Sequence, residues 1–61
     1  MKILEKWNRE IRDMKQKGMT VNKIVYSLGQ DKNFFQDNGL DYGDPSFAEI
    51  EDYVKKLLAP F

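Results

Sequence analysis

Residues 18–29, Gly-Met-Thr-Val-Asn-Lys-Ile-Val-Tyr-Ser-Leu-Gly, decide how this chain folds. Gly18 follows a basic stretch and fits the left-handed position that often ends a helix. Thr20 is a favourable N-cap for a second helix. The expected inner face of that helix is apolar: Ile24, Val25 and Leu28. Gly29 is expected to stop it, and Asp31 to cap a third helix, so the stretch predicts two helices joined by a tight turn.

The residues before this stretch predict a first helix from about residue 3 to residue 17. Its apolar side chains recur at spacings of 3, 4 and 3, the stripe of a 3.6-residue helix: Leu4, Trp7, Ile11 and Met14. Two i,i+4 ion pairs in the favourable order are expected on its surface, Glu5 with Arg9 and Asp13 with Lys17.

The residues after Gly29 predict two more helices. The third spans about residues 31–38 and has two aromatic core residues, Phe34 and Phe35. Residues 37–44 are dense in Asp, Asn and Gly, a composition that indicates a loop. Ser46 and Glu49 match a capping box at the start of the fourth helix. Its expected core face contains Phe47, Ile50, Tyr53, Val54, Leu57 and Leu58.

The chain therefore predicts an all-α fold, a compact bundle of four to five short helices in a single domain over residues 1–61. The second and third helices form a predicted helix-turn-helix over about residues 20–38. In such a motif, one helix can lie in the DNA major groove.

Composition argues against catalysis. The 61 residues contain no Cys and no His, which removes thiolate metal sites, disulfides and the commonest general base. The carboxylates fall in no catalytic spacing, so we expect no enzymatic activity, no metal site and no cofactor. No apolar run approaches the roughly 20 residues of a membrane span, and the N-terminal residues lack a signal-peptide apolar region. A cytoplasmic location without membrane contact is expected.

The net charge of zero conceals an asymmetry between the two halves of the chain. Residues 1–34 carry eight basic and four acidic side chains, whereas residues 35–61 carry two basic and six acidic ones. Such a division is compatible with a nucleic-acid-binding face on an acidic body, and equally with two solvated charged faces.

A helix that reads DNA presents polar or basic side chains to base edges and buries its apolar back. On the third helix, the residues facing away from Phe35 are suited to base contacts: Lys32, Asn33 and Gln36. At the start of the second helix, three residues are suited to a phosphate: Thr20, Asn22 and Lys23. The predicted partner is double-stranded DNA.

From about residue 11 to residue 58, the chain resembles the Cro and phage-repressor type of helix-turn-helix, the XRE family. The resemblance is carried by Gly18-Met19-Thr20, Ile24-Val25, Leu28-Gly29, Asp31, Phe35 and Pro45-Ser46. It implies operator binding, usually as a dimer on two half-sites, with repression of transcription or control of a phage-type switch. The chain departs from the family pattern at Val21, Val25, Gln30, Asn38 and Gly39-Leu40-Asp41.

A second interpretation is a small interaction module. Residues 7–28 also resemble the helical hairpin of the SinI-type antirepressors, on the strength of Trp7, Ile11, Met14, Gly18-Met19-Thr20, Ile24 and Leu28. That resemblance implies a protein partner instead of DNA. A partner or dimer surface is then expected at the C-terminal end, with Leu57, Leu58 and Phe61 exposed.

Overall fold

A computed structural model describes residues 2–42 and 46–59 of the chain. These residues form four helices: α1 (Glu5–Gln16), α2 (Val21–Gly29), α3 (Lys32–Asp37) and α4 (Phe47–Leu58). Residues 2–42 and 46–59 contain no strand, which confirms the all-α prediction. None of the described helices is long and apolar enough to cross a membrane.

Among residues 2–42 and 46–59, the core is entirely apolar and draws residues from all four helices. Its nine buried members are Ile11, Ile24, Val25, Leu28, Phe34, Phe35, Ile50, Val54 and Leu58. The most extensive helix–helix contact is between α2 and α4, and α1 packs against both of them. The predicted inner face of α2 and the two aromatic core residues of α3 are thereby confirmed.

All three predicted N-caps form. The hydroxyl of Thr20 accepts the Lys23 N–H at 3.2 Å at the start of α2. The Asp31 carboxylate accepts the Asn33 N–H at 2.9 Å at the start of α3. The Ser46 hydroxyl accepts the Glu49 N–H at 3.4 Å, while Pro45, which precedes it, lies outside the described residues.

Two glycines with positive φ close helices. Gly18 (φ +94°) ends α1, and the following N–H of Met19 donates to the carbonyl of Met14 at 3.1 Å. Gly39 (φ +66°) ends α3 in the same way, with the Leu40 N–H donating to the Phe35 carbonyl at 2.8 Å. These are Schellman closures, so the segment predicted as loop from residue 37 begins with an ordered helix end.

The second helix ends at Gly29, as predicted. Gly29 is the last residue of α2 and does not adopt a positive φ. A Cβ at this position would lie 2.7 Å from Cε1 of Phe47, closer than van der Waals contact allows. The absence of a side chain therefore makes room for an aromatic ring of α4.

Three of the predicted surface and core assignments are wrong. Phe47, expected in the core, is 51% exposed. Leu4, expected in the α1 stripe, is exposed because it precedes the helix as its N-cap, and Ile3 packs on the core instead. At the C-terminal end, Leu58 is buried and Leu57 half-buried, so they form no exposed surface; Phe61 lies outside the described residues.

A further correction concerns the ion pairs on α1. Glu5 pairs with Arg12, two turns along the helix, at 3.4 Å and not with Arg9. The other predicted pair, Asp13 with Lys17, forms at 2.9 Å.

Candidate nucleic-acid interface

The three predicted base-contacting residues lie together on the outside of α3. Lys32, Asn33 and Gln36 are all exposed, on a helix of six residues. Their side chains form no hydrogen bond or ion pair with the rest of residues 2–42 and 46–59. The exposed face of α3 thus offers an ammonium and two amides that are available to a ligand.

The opposite side of α3 is anchored by two buried aromatic rings. Phe34 and Phe35 meet edge to face, with ring centroids 5.5 Å apart. Trp7 of α1 packs edge-on against Phe34 at 5.3 Å. Tyr42 packs edge-on against Phe35 at 5.2 Å while its ring stays 58% exposed, so it covers the core after α3. This packing fixes a short helix that would be marginal in isolation.

The acidic residue at the end of α3 forms an ion pair with a lysine of α1. Asp37 accepts the Lys6 ammonium at 2.8 Å and the indole N–H of Trp7 at 2.9 Å. The Lys6 ammonium foremost, and then the Trp7 N–H, hold the pKa of the Asp37 carboxyl below its usual value of 3.8. Lys6 thereby offsets a negative charge that would otherwise repel phosphate at this end of α3.

A second contact ties the end of α3 to the start of α1. The Asn38 side chain accepts the Leu4 N–H at 2.7 Å and donates to the Phe34 carbonyl at 2.6 Å. Asn38 therefore satisfies two backbone groups at helix ends, one on each element. These two bonds account for a polar residue at position 38.

The predicted phosphate-binding residues surround the start of α2 but point in different directions. The Thr20 oxygen is already an acceptor in the N-cap, and its hydroxyl hydrogen stays available for donation. Lys23 is exposed and pairs with no acid among the described residues. Asn22 lines a groove between α2 and α4, on a wall shared with Tyr26.

Comparisons of the chain with protein-family models, with curated proteins and with solved structures find no match. No cluster of three or more potential metal ligands occurs among residues 2–42 and 46–59.

The polar contacts that hold α3 against α1 were not predicted from the sequence. Lys6 and Trp7 lie about thirty positions before Asp37, and Asn38 bonds to a backbone N–H 34 residues away. No local periodicity or capping rule connects such distant positions. The one signal in the sequence was Asn38, a polar residue at a position where the resemblance predicts an apolar one.

Proposed function

We propose that this protein is a small sequence-specific DNA-binding regulator of the Cro or repressor type. In this proposal α3 lies in the major groove and the start of α2 faces the phosphate backbone. The observation that carries the proposal is the outer face of α3, where Lys32, Asn33 and Gln36 are exposed and unbonded among the described residues.

The chemistry of these three side chains fits base edges. A lysine ammonium can donate to O6 and N7 of guanine, and an asparagine or glutamine amide can pair with N6 and N7 of adenine. Three such contacts along the exposed face of α3 would discriminate among the base pairs of a short half-site. A dimer, with two copies of α3, would read two half-sites.

The local charge supports the same proposal. The ion pair of Lys6 with Asp37 leaves Lys32 as the uncompensated charge within Lys32–Asp37, next to the N-cap Asp31. Lys23 adds a second cation at the start of α2, where free N–H groups and the helix dipole favour an anion.

The experiment is selection of a binding site from random-sequence duplexes, followed by titration of variants on the selected site. Lys32→Ala and Asn33→Ala are each expected to weaken binding by about 1–3 kcal/mol and to relax the preference at one base pair. The matched control is Lys56→Ala, which removes an exposed cation of α4.

Equal losses in the α3 and α4 variants would contradict base readout by α3. Circular dichroism of each variant verifies that the fold is retained, because both α3 side chains are exposed and their truncation should leave stability within about 0.5 kcal/mol.

A second candidate function is a protein-interaction module of the antirepressor kind. It is favoured by the half-exposed aromatic rings of Tyr26 and Phe47, which border the groove between α2 and α4. This function predicts that the protein fails to bind duplex DNA even at low salt, whereas the first predicts binding.

A further inference from the structure

The sequence Asn38-Gly39, directly after α3, is a chemically reactive pair. The side chain of an asparagine can be attacked at Cγ by the backbone nitrogen of the next residue. The attack is fastest when that residue is glycine, because no Cβ obstructs the approach. The other three asparagines precede larger residues, in Asn8-Arg9, Asn22-Lys23 and Asn33-Phe34. Position 38 is therefore where deamidation is chemically most favoured in this chain.

The folded structure holds the reacting groups of this pair apart. Asn38 has a ψ of 8°, so the Gly39 nitrogen is nearly eclipsed with the Asn38 nitrogen and turned away from Cβ and Cγ. The Gly39 N–H, which must lose its proton, donates to the Gln36 carbonyl at 3.2 Å. The Asn38 side chain is fixed by the Phe34 carbonyl at 2.6 Å and the Leu4 N–H at 2.7 Å. Ring closure therefore requires the end of α3 to leave its folded conformation.

The end of α3 is held by contacts with α1 and is not enclosed by the core. No atom lies within 4 Å of the position of an added Cβ at Gly39. The long-range polar contacts here are the Leu4 N–H on Asn38 and the bonds of Asp37 with α1. Surface contacts of this kind open at a lower free energy than a buried core does. Release of this end of α3 from α1 is therefore the step that frees the reactive pair.

We infer that Asn38 is a site of spontaneous deamidation whose rate is controlled by its contact with the start of α1. In the open state, the Gly39 nitrogen bonds to Cγ of Asn38 and loses its proton. The Cγ–Nδ2 bond breaks and ammonia leaves, which gives a cyclic imide. Water then adds to either ring carbonyl and leaves an aspartate or an isoaspartate at position 38. Water is the co-reactant, and no oxidant or reductant takes part.

The modification removes part of the contact that restrains it. A carboxylate has no N–H to donate, so its oxygen faces the Phe34 carbonyl without a hydrogen bond. It also adds a negative charge next to Asp37, at the helix end that disfavours anions. In the isoaspartate form the main chain gains one methylene, which disrupts the closure of α3 at Gly39. Deamidation is thus an irreversible loosening of α3 from α1.

The test is incubation of the full chain at about pH 8 and about 37 °C, folded or in concentrated urea, followed by peptide mapping with mass spectrometry. Each deamidation raises the mass by about 1 Da. It should appear at position 38 before the other three asparagines. The rate should be about tenfold or more higher in urea, because the folded protein is open for only a small fraction of the time.

A substitution at Leu4 changes the contact and leaves the reactive pair intact. The φ of Leu4 is −60°, the value that proline imposes, so Leu4→Pro replaces the N–H without straining the backbone. It should speed deamidation of the folded protein about fivefold, the equivalent of one lost hydrogen bond. The matched control is Leu4→Ala, which truncates an exposed side chain, keeps the N–H and should leave the rate unchanged.

Three results would overturn the inference: equal rates in the folded and urea-unfolded chain, equal rates in the two Leu4 variants, or earlier modification at another asparagine. The consequence is tested with Asn38→Asp, which should lower the melting temperature by about 4–8 °C. Gln36→Glu is its control, since it adds the same charge to α3 at an exposed side chain. Equal shifts would contradict the loosening. No measurement here contains DNA, so the outcomes are separate from those of the proposed function.

Discussion

At the scale of single residues, the backbone conformation at position 18 requires a glycine. Its φ of +94° lies in the left-handed region, and no atom comes within 4 Å of the position of an added Cβ. Gly18→Ala should therefore destabilise the protein through backbone strain alone, by about 1–2 kcal/mol, measured by thermal unfolding. A synthetic chain with D-Ala at position 18 is the control and should not be destabilised, since a D-residue favours positive φ. Equal loss with both enantiomers would contradict this explanation.

Asp37 should make stability depend on pH in the acid range. Because Lys6 and Trp7 lower the pKa of its carboxyl, the folded state binds a proton less readily than the unfolded chain. The stabilisation is present above the ordinary pKa of 3.8 and is lost as the pH falls through the lowered value. The difference in melting temperature between wild type and Asp37→Asn should therefore shrink as the pH falls below about 4.

Two controls refine the pH experiment. Asp41→Asn removes an exposed acid that no described cation contacts, and it corrects for the loss of one negative charge. Added salt should also reduce the effect of Asp37, because its pair with Lys6 is accessible to solvent. A difference that stays constant from pH 6 to pH 2 would show that the carboxylate does not hold α1 and α3 together.

At the scale of elements, Asn38 joins the end of α3 to the start of α1. Asn38→Ala removes acceptance of the Leu4 N–H and donation to the Phe34 carbonyl, and should cost about 1–3 kcal/mol of unfolding free energy. Urea unfolding measures this loss. Asn33→Ala is the matched control, since that side chain forms no bond with the described residues. Equal stability of the two variants would contradict the role given to Asn38.

The elements also show which parts of the fold were predictable. The caps at Thr20, Asp31 and Ser46 were predicted because a cap depends on residues at most three positions apart. The exposure of Phe47 was missed because it depends on how α4 lies against Gly29, and the helical period alone does not specify that arrangement. Among the candidate site residues, the exposure of the α3 side chains was predictable, whereas the contacts of Asp37 depend on a distant helix.

At the scale of the whole molecule, one small core supports every helix. Ile24 is fully buried in it, at the contact of α2 with the other helices. Ile24→Ala should cost about 2–5 kcal/mol, which for a domain of this size is a large part of the total stability. Chemical denaturation followed by circular dichroism measures it, with exposed Ser27→Ala of the same helix as the control. An unchanged midpoint would contradict the packing described for α2.

In the folded molecule, charges from the basic and the acidic half of the chain come into contact. Basic Lys6 compensates acidic Asp37 across the two halves of the sequence. Part of the charge asymmetry is thus compensated by ion pairing within the molecule. The cations that remain for DNA near the two motif helices are Lys23 and Lys32.

The most direct test of the central claim is fluorescence anisotropy of a labelled mixed-sequence duplex, titrated with the protein at low and then moderate salt. Two cations that would displace counterions, Lys23 at the phosphate backbone and Lys32 in the major groove, predict binding at about 50 mM salt that weakens by about tenfold at about 200 mM. Lys32→Ala should reduce both the affinity and the salt dependence, whereas Lys56→Ala should change neither. Absence of binding at low salt would contradict the assignment of α3 as a DNA-reading helix.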